Sequence, residues 1–140
     1  MTQSQQTQSQ LYAPFPWFGG KRKVAHIVWS RFGDVPNYVE PFAGSLAVLL
    51  GRPHVSKREI VNDKDCYIAN FWRAIQAEPE VVAKWADNPI NEADMHARRK
   101  WMLSQYNFVE RMHTDPTYYD VQIAGWWVWG VCCAFGTHII

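Results

Sequence analysis

The sequence predicts an α/β chain, and three observations carry that assignment. Two short β-prone runs, Tyr38-Val39 and Arg58-Glu59-Ile60-Val61, each lead to an acidic tip, Glu40 and Asp63. Apolar residues at helical spacing stand before the first run and after the second. Between them, Ala43-Gly44-Ser45 supplies a loop of small side chains before Leu46 to Leu50 continue as an apolar helix.

Length and composition set the bounds. At 140 residues the chain is one ordinary domain at most, small for an α/β enzyme with a macromolecular substrate. A formal charge of +1 argues neither for nucleic acid nor against it, because a local basic face can coexist with a neutral total. The three Cys, with Cys132 and Cys133 adjacent and Cys66 alone, show neither metal-site spacing nor a disulfide framework, so no metal is expected and a reducing cytoplasm fits best. Residues 1–12 read as a disordered polar tail without the apolar core of a secretory signal.

From Tyr12 to Phe18 the chain is aromatic and proline-rich, an extended segment suited to lying on another surface, and Gly19-Gly20 lets it turn. Val24, Ile27, Val28 and Phe32 then follow helical spacing, with Arg22, Lys23 and Arg31 left for solvent or anions and Gly33 as the stop. Gly-Gly-Lys is not a phosphate-binding P-loop, since that motif needs a longer glycine loop and a Ser or Thr where Arg22 stands.

Glu40 ends the first strand and Pro41 denies the next ladder bond. Ligands of open α/β sheets bind beyond the carboxyl ends of strands, and a carboxylate there suits ribose hydroxyls or a cationic group. Gly51-Arg52-Pro53 ends the short helix, and the second strand delivers Asn62-Asp63. Glu40 and Asp63 lie close to the roughly 20 residues apart that separate a glycine loop from its ribose-binding acid. Asp63 thus reads as a ribose ligand or as the N-cap of the next helix.

That helix carries Tyr67, Ile68, Phe71, Trp72 and Ile75 on one wide face. Glu78-Pro79-Glu80 starts another, and Asp87-Asn88-Pro89 breaks it. Asn91 with Asp94 marks a further helix N-terminus, after which Arg98, Arg99 and Lys100 concentrate positive charge beside Trp101. This run is either a solvated face or the best phosphate contact in the chain. The apolar segment Val121 to Ile140 is broken by Gly125, Gly130 and Gly136, and it reads as buried strands and turns rather than a membrane span, with Trp126, Trp127 and Trp129 alternating in a strand.

Taken together, Pro14-Phe15-Pro16-Trp17-Phe18-Gly19-Gly20-Lys21, Tyr38-Val39-Glu40-Pro41-Phe42-Ala43-Gly44-Ser45 and Ile60-Val61-Asn62-Asp63, in that order, resemble the N-terminal half of the Dam-like (D12 class) adenine-specific DNA methyltransferases. The resemblance implies an incomplete Rossmann-like S-adenosylmethionine-dependent methyltransferase fold, with a helical or target-recognition insertion. It implies that residues 13–77 bind S-adenosylmethionine and that residues 78–140 form a helical segment and the start of the target-recognition region. Trp17, Gly19, Lys21, Glu40, Phe42, Ala43, Ser45 and Asp63 would surround the cofactor, while Arg98, Arg99 and Lys100 would contact double-stranded DNA. Without the resemblance, Trp17 reads equally as a core anchor.

Amino-group methyltransferases of this kind stack a flipped adenine on the Tyr of an Asp-Pro-Pro-Tyr motif at the end of an apolar strand. Asp115-Pro116-Thr117-Tyr118 departs from it: the second Pro is Thr, and the polar Glu110-Arg111-Met112-His113-Thr114 precedes it, so an Asp-Pro turn is expected and no catalytic residue is assigned. The expectation is a truncated or split enzyme, whose partner could be its own C-terminal part. Leu46, where many such loops place Gly, is a second departure. A non-catalytic DNA- or protein-binding remnant is the alternative, and an NAD-linked oxidoreductase lacks the Gly-x-Gly-x-x-Gly fingerprint.

Overall fold

The computed structural model describes residues 11–134, so the expected polar tail lies outside the described residues through position 10. The chain divides into two compact units, Met1–Pro14 with Phe18–Asn62 and Phe15–Trp17 with Asp63–Ile140. The helix that follows Asp63 buries its apolar face against later helices.

The first unit runs α1 (Ala25–Phe32), β1 (Asn37–Glu40), α2 (Ala47–Leu50) and β2 (Arg58–Val61). Gly33 closes α1 at φ 65°, a left-handed value suited to glycine, and its N–H bonds the Trp29 carbonyl at 2.9 Å. The buried face of α1 is not the expected one. Trp29 and Ala25 are buried, whereas Val24, Ile27 and Phe32 stay 44%, 48% and 52% exposed. The indole decides the rotation, since its N–H reaches the Val48 carbonyl at 2.7 Å and its ring lies 4.9 Å from that of Tyr38.

β1 and β2 pair in parallel, in a register that sets Tyr38 beside Glu59 and Glu40 beside Val61. Alternation along β1 sends Tyr38 and Glu40 inward and leaves Val39 outside. The Val39 and Ile60 partners are 58% and 48% exposed. A parallel sheet is ordinarily covered on both faces, so this outer surface is unusual.

The second unit is helical: α3 (Cys66–Ala77), α4 (Pro79–Ala86), α5 (Glu92–Leu103), α6 (Phe108–Thr114) and α7 (Val121–Cys133). Asp65 caps α3, accepting from the N–H groups of Tyr67 and Ile68. The expected cap at Asp63 is thereby corrected by two positions. Asn91 caps α5 through the Asp94 N–H at 2.8 Å, as its spacing predicts. Asn70, fully buried on α3, donates to the Asp120 carbonyl at 2.9 Å and accepts its N–H at 2.7 Å. That reciprocal pair satisfies a buried amide and holds the residue whose carboxylate caps α7.

The strands expected from Val121 onward are, as far as Cys133, a single helix. Its apolar residues run all round and carry no face, so periodicity cannot separate a buried helix from buried strands, and the Asp120 cap settles the matter. With 13 residues α7 is shorter than a membrane span, and no described helix is long and apolar enough to cross one. Residues 135–140 lie outside the described residues.

Phe15 is the chain's early contribution to this unit. It is buried, with its ring 5.2 Å from Phe71 and 5.1 Å from Trp127, both edge-on. Gly125 of α7 lies close against α4: a Cβ there would stand 2.3 Å from Trp85 Cβ and 2.8 Å from the Val82 carbonyl oxygen. Gly125→Ala should therefore lower unfolding free energy by about 3 kcal/mol or more, an overpacking loss read from urea denaturation. A change within 0.5 kcal/mol would mean that α4 and α7 separate at little cost.

Candidate functional site

The site builds from the carboxyl end of β1. Period-two alternation places Tyr38 and Glu40 on the same inward face, and the Tyr38 hydroxyl donates to Glu40 Oε2 at 2.8 Å. Burial, followed by this hydrogen bond to a carboxylate, pushes the Tyr38 phenol well above its ordinary range. Glu40 is 4% exposed. A carboxylate so buried needs a cation, and Lys21 provides it with Nζ 2.8 Å from Oε1. The same ammonium also donates to the Phe42 carbonyl at 2.7 Å.

β2 fastens the loop beyond Glu40. The Asn62 N–H bonds the Glu40 carbonyl at 2.9 Å, its carbonyl accepts the Ala43 N–H at 2.9 Å, and its side-chain amide donates to the Pro41 carbonyl at 3.1 Å. Asn62 thus extends the ladder past the strand ends. Ala43 and Ser45 are buried, Phe42 is 79% exposed, and Gly44 has φ 50°. Leu46 also has a left-handed backbone, at φ 55° and ψ 27°. This explains why glycine would suit the position. Leucine pays roughly 1–2 kcal/mol in backbone strain and recovers it by burying its side chain.

Of the predicted residues, the structure brings Lys21, Glu40 and Phe42 together in the first unit, with Ala43 and Ser45 on the same loop. Gly19 precedes them at φ 70°. Trp17 belongs to the second unit, half-buried against Phe15 and Trp127 with ring centroids at 6.0 and 5.9 Å, which is the core-anchor arrangement. Asp63 opens that unit, and its Oδ1 accepts the Asp65 N–H at 3.1 Å.

The basic run on α5 is divided. Arg98 turns inward, its guanidinium 4.3 Å over the Trp129 ring and 5.4 Å over Trp126, with Asn88 Oδ1 at 3.0 Å. A side chain so stacked is a packing element, and its expected phosphate contact is corrected accordingly. Arg99 and Lys100 are exposed. The Asp115 carboxylate accepts from the Thr117 N–H and hydroxyl in a turn that follows α6. No strand precedes it, as expected from the polar run before it.

Tyr38 and Asn62 were not among the predicted site residues. Tyr38 was legible, since it lies two positions before Glu40 on a strand. Asn62 signalled only a turn, and its role depends on strand pairing. Cys66 lies 3.4 Å from His113 Nε2, but burial and then Asp65 push its thiol up, away from a reactive thiolate. No group of three or more His, Cys, Asp or Glu among the described residues is placed to hold a metal ion.

Comparison with known proteins gives this geometry a context. The family model of the D12 class N6 adenine-specific DNA methyltransferases matches residues 17–120. The chain belongs to this family. The match takes in Lys21, Glu40, the small-residue loop and Asp63. The chain is also 25% identical over 101 residues to the RNA1 polyprotein of Broad bean wilt virus 1, covering 72% of this chain and 5% of the length of that polyprotein. No solved structure matches.

The left-handed turn at Leu46 yields a test of sign. At an ordinary helical position Ala exceeds Gly by up to about 1 kcal/mol, and here the order should reverse. Leu46→Gly should be about 1 kcal/mol more stable than Leu46→Ala in chemical denaturation, with both below the parent. The usual order of the two variants would contradict the backbone assignment.

Proposed function

We propose that the chain binds S-adenosylmethionine at the carboxyl end of β1 and serves methyl transfer to the exocyclic amino group of adenine in double-stranded DNA. The observation that carries the reading is Glu40, a buried carboxylate at a strand end whose Oε1 is ion-paired with Lys21 and whose Oε2 accepts from Tyr38. Such a carboxylate keeps acceptor capacity for a ligand hydroxyl or amine. Ala43, Gly44 and Ser45 keep bulk away from the loop backbone, Phe42 offers an exposed aromatic surface, and Lys21 neutralises the carboxylate before any ligand arrives. Asp63, just past the second strand, is proposed as a ribose ligand on the strength of its sequence position, with Gly19 as a flanking contributor. When bound, the sulfonium supplies the electrophilic methyl group. The chain's share is to bind and orient.

Adenine's amino lone pair is delocalised into the ring, so transfer also needs groups that accept its hydrogens. Asp115 is tied into its own turn with Thr117. That arrangement supports a division of labour in which another polypeptide segment provides the base-stacking and hydrogen-accepting groups. It equally favours the second reading, a non-catalytic binding remnant of the fold.

Calorimetric titration of the purified chain with S-adenosylmethionine and separately with NAD tests the proposal. The methyl donor should bind and NAD should not. Glu40→Gln and Asp63→Ala should each weaken donor binding about tenfold, equivalent to about 1.4 kcal/mol, with circular dichroism unchanged. Binding of NAD alone, or donor affinity indifferent to both substitutions, would remove the assignment. Methylation of duplex DNA by the isolated chain would reject the division of labour and leave the cofactor site standing.

A further inference from the structure

The near-neutral total conceals an uneven division of charge. The first unit contains seven Lys and Arg against three Asp and Glu, a net charge of +4, while the second contains seven against ten, a net charge of −3. Two of the first unit's acids are already matched, Glu40 by Lys21 at 2.8 Å and Glu59 by Arg52 at 3.0 Å. Arg22, Lys23, Arg31, Lys57 and Arg58 are all exposed, and none is ion-paired among the described residues. An excess of cations that the fold does not consume is available to a polyanion.

Position sorts these cations. Arg58 starts β2 opposite Asn37, with Lys57 just before it, at the end of the sheet away from Glu40. Arg22 and Lys23 directly follow Lys21, whose ammonium is anchored on Glu40 and on the Phe42 carbonyl. The turn closed by the Val24 N–H on the Lys21 carbonyl, at 3.1 Å, fixes their backbone. The Arg22 guanidinium rests 5.1 Å over the Tyr12 ring, which limits the freedom of a long side chain before it meets a partner. By contrast, α5 carries Glu92 and Asp94 in its first turn, turns Arg98 inward, and belongs to the unit of net negative charge.

We propose that Arg22 and Lys23 grip the phosphate backbone of duplex DNA beside the Glu40 end of the sheet. The inference rests on the proposed function, in which the target base must be brought to that strand end. Phosphate contacts there fix the duplex without reading its sequence.

The test is fluorescence anisotropy of a labelled duplex across a salt series with the parent chain, R22A/K23A, K57A/R58A and R99A/K100A. Each double variant removes two charges from exposed positions. R22A/K23A should flatten the slope of log affinity against log salt by about 1.8, two phosphate contacts at about 0.9 each, with little change in the other two variants. An equal flattening in K57A/R58A would show diffuse attraction, a loss only in R99A/K100A would move the contact to α5, and a parent without salt-dependent binding would leave nothing to assign. Any of these overturns the proposal. Titrating the same proteins with S-adenosylmethionine separates the two ideas: intact donor binding with an unmoved slope defeats only the phosphate grip, and a flattened slope without donor binding defeats only the cofactor assignment.

Discussion

The first unit depends on keeping one charged carboxylate out of water. Glu40 is buried at the end of a strand, and removing a carboxylate from solvent costs several kcal/mol unless it is paired and hydrogen-bonded. Lys21 reaches it from before α1, Tyr38 from its own strand, and Asn62 holds its backbone from the neighbouring strand. Two other stretches of sequence, around Lys21 and around Asn62, are thus tied to one residue of β1. A hydrophobic residue would achieve the same packing without the desolvation cost.

Much of this was legible in the sequence, for identifiable reasons. The strand ends at Glu40 and Val61 were marked by β-prone residues running into proline or polar turn residues, the helix at Cys66 by its wide apolar face, that at Pro79 by its proline, and that at Glu92 by the Asn91 cap. Local chemistry decides such features. What failed were choices governed by packing. Val24, Ile27 and Phe32 have helical spacing, but Trp29 determines which face of α1 turns inward. In α7 there is no polar face to give a period, and three tryptophans in four residues imitate a strand.

The site shows the same split. Glu40 could be read from its place at a strand end, Lys21 was implied by the family resemblance, and the structure joins the two. Arg98 could not be separated from Arg99 and Lys100 by composition, because what distinguishes it is the pair of indoles beneath its guanidinium. A net charge of +1 was similarly uninformative until the chain was divided into its packing units. Leu46 stands where many such loops place Gly, and its left-handed backbone shows why glycine suits the position.

Phe15 has a consequence for how the molecule can be dissected. Its ring fills the interior formed by Phe71 and Trp127, although forty-five residues of the other unit, Phe18 to Asn62, intervene before the helical unit's chain resumes at Asp63. A gene cut at that junction would yield a C-terminal half with an aromatic-sized hole and an N-terminal half trailing a greasy plug. The two lobes are stitched rather than strung, and a faithful separation calls for circular permutation or a grafted Phe15 to Trp17 peptide instead of simple truncation.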